Sequence, residues 1–371
     1  MLFLTLLTAL AGAGDPDDGE QDDGKQDDGK SFMVLPGAFY SQETSVGLAA
    51  FGTASFPLKG SGEETWPSNL TSAVTWTFAK QTSFAVWPTF YFGRANDQVL
   101  TGEVIVSHYP TRYYGLGSRS DPAWQDYTRR WVTTEVTALQ KVRPKLYVGA
   151  AHRLAVLDVR DVGDPRLGDA DATWTGGDQL GSGVVGEEGG TVHGLGVVLR
   201  WDGRDNDQST RQGTYVQVEW AGHPEALGSS WAYGQAGLDT RAWLAFGRDG
   251  TLAAQWVSEL GHGDVPFTHM AMLGGDDVLR GLFEGRFRDK GMTALQGEVR
   301  YTLIGGLRAA AFGGVGTVFP DLAGLADARA TATAGGGLRY ELDAQSHTAI
   351  RADLGTGPDG TGFILTFGEA F

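Results

Sequence analysis

The 371-residue chain carries 56 glycines, 11 tryptophans, 18 phenylalanines and 11 tyrosines, has no cysteine, and bears a formal net charge of −16 with only 20% charged residues. So much glycine and aromatic surface with so few charges excludes the composition of an ordinary cytosolic α/β enzyme. Without cysteine there is neither a disulfide framework nor a lipid-attached N-terminus, and a net negative chain argues against nucleic acid as a partner.

In chain order, residues 1–13 form an apolar run ending in small residues, MLFLTLLTALAGA. Ala9 and Ala11, or Ala11 and Ala13, give the small-x-small pattern of a signal-peptidase site, so residues 1–13 are expected to be a signal peptide. Only the α-amino group supplies positive charge there. A buried N-terminal segment is the competing reading. Residues 14–31 are expected to be an acidic, disordered leader. Within them DPDDGEQDDGKQDDGK (15–30) holds eight acids and two bases, −6 of the total, and no apolar residue to bury. Calcium binding by the aspartates is the alternative to a solvated tail.

From residue 32 to 371 helical periodicity is almost absent and period two is everywhere. Sixteen candidate strands fall near 32–40, 44–57, 70–79, 82–93, 98–108, 130–141, 144–157, 190–202, 213–222, 231–246, 251–260, 292–303, 307–317, 330–341, 347–355 and 362–371. Most run nine to twelve residues, the span that crosses a bilayer at a tilt of about 45°, whereas soluble strands are typically about five or six. No stretch reaches the roughly 18 apolar residues that a spanning helix needs.

The faces separate. Thr191, His193, Leu195, Val197, Leu199 and Trp201 oppose Gly194, Gly196, Val198 and Arg200. Leu295, Gly297, Val299, Tyr301 and Leu303 oppose Gln296, Glu298 and Arg300, and in the last strand Phe363, Leu365, Phe367 and Phe371 share a face that Glu369 interrupts. One apolar face and one small-or-polar face fits a barrel with lipid outside and water inside. The long links (109–129, 158–189 and 261–291) all follow odd strands, and the tight links GRANDQ, VRP, GRDG, IGG and DAQS follow even ones. Short turns at one end and long loops at the other are the transmembrane-barrel rule. The expectation is a 16-stranded antiparallel transmembrane β-barrel over residues 32–371, with Phe371 as its C-terminal aromatic signal.

Several segments carry a resemblance. YSQET (40–44) followed by Val46-Gly47-Leu48 resembles a "YSPETGxGLG" opening hairpin, with Gln42 where proline is usual. Tyr113–Gly117 resembles "FYGIGN". Gly194-Leu195-Gly196 with Trp201–Asn206 and Gly213 resembles "GLGxxLxYDTRDNxxxPxxG". Leu279-Arg280-Gly281-Leu282, after Gly274-Gly275, sits where a (V/I)RG(F/Y) motif would stand, in the sixth outer loop. Together these resemble the bacterial surface-antigen barrels of the BamA/TamA superfamily, which assemble or secrete proteins at the outer membrane, and the resemblance covers most of residues 36–371. It departs at Leu282, where an aromatic is usual, although Phe283 follows.

The resemblance implies that the sixth loop folds inward and that Arg280 pairs with wall acids. Glu298 matches the first acid. The second belongs to an "FxDxG" segment, here Phe312-Gly313-Gly314-Val315-Gly316, so Gly314 stands in its place and a looser latch is expected. Gly281 would let the backbone turn sharply beside the wall. A solvated loop arginine is the plain alternative. The resemblance also implies a weak seam between the first and last strands, and Pro36 and Gly37 would weaken it, since proline offers no ladder N–H.

Enzymatic signatures are missing from the sequence. The seven histidines form no HExxH and no close metal pair, and there is no nucleophile elbow and no P-loop. Gly274-Gly275-Asp276-Asp277 lacks any αβ context for a cyclase reading. Asp202–Asp207 lacks the glycine and terminal glutamate of a calcium loop. The expectation is therefore no enzyme, no metal and no cofactor. An integral outer-membrane location is expected, with outer-membrane lipid and either client polypeptides or a separate periplasmic POTRA-type protein as partners; residues 14–31 leave no room for POTRA domains. The leading function is protein insertion or translocation. The alternatives are a passive channel or structural surface antigen, and a secreted soluble sandwich or propeller.

Overall fold

The computed structural model describes residues 31–371 except 63, 121, 165–178, 206–208 and 344–347; the expected signal peptide and nearly all of the acidic leader lie outside the described residues. The first half of the chain supplies β1 (Ser31–Ser41), β2 (Ser45–Phe56), β3 (Ser68–Thr77), β4 (Thr82–Phe92), β5 (Gln98–Tyr113), β6 (Gln125–Arg143), β7 (Leu146–Arg160) and β8 (Gly189–Asp202). Then come β9 (Gly213–His223), β10 (Tyr233–Phe246), β11 (Gly250–Gly263), and two three-residue strands, β12 (Ala271–Leu273) and β13 (Phe287–Asp289). The chain closes with β14 (Gly291–Ile304), β15 (Leu307–Phe319), β16 (Thr331–Asp343), β17 (Thr348–Gly357) and β18 (Gly360–Phe367). Sixteen of these form one closed antiparallel barrel, with β12 and β13 set apart as a hairpin inside the loop that links β11 to β14.

The expected sixteen strands are therefore present. The largest differences in extent are three: β5 and β6 run 16 and 19 residues, well past the expected 98–108 and 130–141, so that the link between them shrinks to residues 114–124, and β18 stops at Phe367, short of the expected 371. The hairpin β12–β13 has no counterpart among the candidate strands, because three residues are too few to show alternation.

Period two decides the register of every wall strand, since a one-residue slip would turn the apolar row inward. On β8, Leu195, Val197, Leu199 and Trp201 stand exposed outside while Val198 is buried inside. On β14, Leu295 is 56% exposed and Val299, Tyr301 and Leu303 follow it outward, while Gln296, Glu298 and Arg300 are buried on the inner face. An exposed apolar band of this extent is unfavourable in water and suits lipid.

Links after β1, β3, β5, β7, β9, β11, β15 and β17 share one end, the loop end; the start of β1 and the links after β2, β4, β6, β8, β10 and β14 share the other, the turn end. Under the loops at the loop end lies an apolar cluster of Tyr113, Tyr127, Phe267, Val265 and their neighbours. A second cluster joins Leu279, Leu282, Leu273 and Phe287 of the sixth loop to Met292, Ala294 and Val318 of the wall.

The ring closes unevenly. β1 pairs with β2 along its full length, but its only registered pair with β18 among the described residues is Tyr40 with Leu365. β17 and β18, by contrast, share eight. Gln42, where the resembled hairpin has proline, packs at this seam so tightly that a Cβ on Gly362 would fall 1.9 Å from its amide nitrogen.

Candidate functional site

The site begins with alternation on two strands. On β14 the inner face carries Gln296, Glu298 and Arg300, and on β17 it carries Arg351, Asp353, Gly355 and Gly357. The sixth loop enters between these walls. Arg280 is 1% exposed. Its Nη2 donates to Glu298 Oε2 at 2.5 Å and its Nη1 to Asp353 Oδ2 at 2.6 Å. The guanidinium carbon also lies 3.6 Å from the centre of the Phe312 ring on β15. A planar fork split between two carboxylates, with a ring against its face, is an arrangement lysine could not reproduce.

Glu298 and Asp353 are shared further. Arg339 on β16 bonds both, and Arg300 Nε donates to Glu298 Oε1 at 2.6 Å. Arg339 Nε reaches Glu369 Oε2 at 3.3 Å, and Arg308 Nη1 lies 3.2 Å from Glu369 Oε1. Arg351 lies 3.6 Å from Asp277 of the loop and 3.8 Å from Asp353. Five guanidiniums thus meet four carboxylates, Glu298, Asp353, Glu369 and Asp277. Near-balance is what such an enclosure requires, because an unpaired buried charge costs several kcal/mol, on the order of 3–5 when one partner is removed.

The second acid is therefore displaced rather than missing. It comes from Asp353 on β17, and Gly314 has a different use. A Cβ on Gly314 would fall 2.7 Å from Leu279 Cδ2, and one on Gly316 would fall 2.9 Å from Leu279 Cδ1. The glycines on β15 leave the space that Leu279 fills. β17 does the same for the rest of the motif: a Cβ on Gly355 would meet Arg280 O at 2.5 Å, and one on Gly357 would meet Leu282 Cδ2 at 2.9 Å. Leu282 is buried in that space, while Phe283 stacks edge-on to Tyr114 at 5.5 Å.

The loop backbone is bent to fit. Gly281 has φ of 107°, and its own missing Cβ would fall 2.6 Å from the Gly355 carbonyl carbon. Leu279 has φ of 53°, a left-handed conformation unusual for leucine. Its N–H donates to Gln296 Oε1 at 3.2 Å, and Gln296 Nε2 donates to Asp277 O at 2.7 Å, so one wall amide brackets the bend. At the loop end the opening hairpin joins in: Glu284 N donates to Glu43 Oε1 at 2.7 Å. Burial pushes the Glu43 carboxyl above the usual range. Burial, with Asp277, Glu43 and Glu284 nearby, pushes Asp276 up to about 7.

Phe371 differs most from expectation. The last strand ends at Phe367, and Gly368, with φ of 80°, turns the chain inward. Ala370 and Phe371 are buried with Trp243 of β10 and Ala253 of β11, so Phe371 is not on the lipid-facing row. Its main-chain oxygen accepts from Arg300 Nη2 at 2.8 Å. Glu369, which interrupts the apolar row in the sequence, is the residue that ties this tail to Arg339 and Arg308. No motif in the sequence marks Arg339, Arg300 and Asp353 as partners of the loop; the signal that points to them is charge on inward positions at the depth of Glu298.

Elsewhere His193 faces outward and shares a 2.9 Å contact with His152. No group of three or more potential metal-binding side chains occurs among the described residues, and none of their helices is long and apolar enough to cross a membrane.

No family model and no curated protein sequence matches the chain. Solved structures do. BamA from Haemophilus ducreyi lacking POTRA domains 1–3 is similar with a TM-score of 0.59 at 12% identity, over 92% of this chain and 70% of that one. CdiB from Escherichia coli is similar with a TM-score of 0.58 at 11% identity, over 90% of this chain and 62% of that one. CdiB from Acinetobacter baumannii gives 0.52 at 11% identity, over 91% and 59%. Fold, not sequence, is what is shared: this chain has the sixteen-stranded barrel of BamA and CdiB.

Proposed function

We propose that this chain is an integral outer-membrane barrel that inserts or translocates polypeptides, with its sixth loop held in the lumen as a latch and the β1–β18 edge as the opening. The observation that carries the reading is Arg280, buried on the inner wall between Glu298 and Asp353. A loop anchored across the interior obstructs the wide aqueous path of a passive channel. The seam, with its single registered pair, is the place where the wall opens at least cost, because ladder bonds there need not be broken in number. The exposed apolar band supports lipid as the surrounding medium, and the likeness to BamA and CdiB barrels supports the class. Catalytic chemistry has no part in this reading.

The test reconstitutes the purified chain in lipid vesicles and follows the folding of a second, unfolded barrel protein added from outside. Acceleration over empty vesicles is expected. Because the chain has no cysteine, Tyr40→Cys with Leu365→Cys locks the seam cleanly; oxidation should abolish the acceleration and reduction should restore it. No acceleration, together with large steady pores in planar bilayers, would favour the passive-channel reading instead.

A further inference from the structure

At the turn end of the lumen lies a recess of about 380 Å³ walled by Lys141, Lys145, Arg200 and Arg204, with Trp66 and Tyr91 edge-to-face at 5.5 Å beside them. Its charge is out of keeping with a chain of net charge −16. Asp202 is the one carboxylate among its described lining residues, and it pairs with Arg204 at 2.7 Å. Asp97 lies beside Lys141 at 3.9 Å. Among the described residues four cations stand against two acids, a surplus of two. Arg200 is held by neutral groups, with its Nε donating to Gln217 Oε1 at 2.9 Å and its guanidinium 5.9 Å from the Tyr215 ring. The Lys145 ammonium has no acidic partner among the described residues. Cations gathered in a partly enclosed site repel one another unless an anion joins them.

The anion is on the same chain. Residues 15–30 carry eight acids and two bases and directly precede β1. The first residue of β1, Ser31, stands at the turn end, the end where the recess opens. Sixteen residues extend to about 50 Å at roughly 3.3 Å each. A ring of sixteen strands spaced about 4.8 Å apart is only about 30 Å across, so the stretch can cross the mouth. Gly19, Gly24 and Gly29 recur every five residues and separate its Asp-Asp pairs, which lets successive carboxylates turn toward the wall.

We propose that the acidic stretch 15–30 docks in cis on this basic recess, with its carboxylates against Lys141, Lys145, Arg200 and Arg204. The proposal concerns the turn end only and is independent of the latch reading.

The test is zero-length carbodiimide cross-linking of the full, folded chain in micelles, read by peptide mass spectrometry. Docking predicts cross-links from acids of 15–30 to Lys141 and Lys145, several-fold more abundant than to Lys59, which sits at the same end but outside the recess. They should fall with 0.5 M salt and in R200Q/R204Q. Equal yields at Lys59 or at Lys80 of the loop end, no cross-links, or cross-links only between copies would overturn it. A second arm alters no barrel residue: changing the eight acids to their amides should raise the acetylation rate of Lys145 several-fold, and an unchanged rate would also overturn it.

Discussion

Arg280 Nη1 lies 2.6 Å from Asp353 Oδ2, a buried ion pair between residues 73 positions apart. It joins the sixth loop to β17, the penultimate wall strand. Asp353→Asn removes one of the two carboxylates that hold Arg280, and Arg280→Ala leaves Glu298 and Asp353 to Arg339, Arg300 and Arg351. Removing one partner of a buried pair costs about 3–5 kcal/mol. Both variants should lower the urea midpoint and the temperature at which the folded band is lost in heat-modifiability gels. A double-mutant cycle should show coupling, since the two residues touch.

Gly314→Asp places the acid where the resembled motif has one, and it should weaken the barrel. The new Cβ would meet Leu279 Cδ2 at 2.7 Å and Gln296 Cβ at 2.8 Å. Overpacking of this kind typically costs about 1–3 kcal/mol. Leu279→Ala should partly rescue Gly314→Asp while being destabilising alone. Denaturant midpoints of the four proteins in the cycle read this out, and simple additivity would count against the packing argument.

Much of the fold is legible in the sequence because lipid and lumen impose opposite demands on alternate residues. Leu295, Val299 and Tyr301 against Gln296, Glu298 and Arg300 mark the two faces of β14 by alternation alone. The loop motif is legible from its position, and Glu298 from its place on the inward face. Asp353 is not, because an aspartate on an inward position looks the same whether it meets water or a loop arginine 73 residues away. Gly314 misleads for a related reason: the space beside a wall position depends on what the loop brings to it. Phe371 misleads because the apolar row Phe363, Leu365, Phe367 extrapolates naturally to 371, whereas Gly368 breaks it by a local left-handed turn.

That turn gives a third prediction. Phe371→Ala removes a buried ring packed with Trp243 and Ala253, a loss typically worth about 3–5 kcal/mol. Glu369→Gln leaves Arg308 and Arg339 each without one carboxylate. Both should lower the unfolding midpoint, and trypsin should reach Arg300 or Arg339 sooner. If Phe371→Ala leaves the midpoint unchanged, the ring is not held inside.

Asp276 gives the loop a pH dependence. Its folded pKa, about 7, lies above the ordinary 3.8 chiefly because of burial. Between those values the folded protein holds a proton the unfolded chain has lost, so this residue's contribution falls as pH rises from about 4 to 7. Burial of His269 acts in the opposite sense. Its pKa, lowered to about 3, means the unfolded chain binds the extra proton, and stability is lost as pH falls from about 6.5 toward 3. Asp276→Asn should lessen the decline from pH 4 to 7 in unfolding midpoints, with Glu43 keeping part of it, and leave the acid loss in place.

Arg280, Gly281 and Leu282 lie against the inner face of β17. A Cβ on Gly357 would stand 3.5 Å from Leu282 Cγ, the position a cysteine sulfur takes, close enough for a disulfide after substitution at both positions. In this cysteine-free chain, Leu282→Cys with Gly357→Cys should oxidise to an intramolecular disulfide in the folded barrel, seen as a band shift reversed by reductant. The same thiols should resist a membrane-impermeant maleimide added outside. Free thiols at both positions, with the thiol at 282 labelled rapidly in the folded protein, would place the loop outside the barrel.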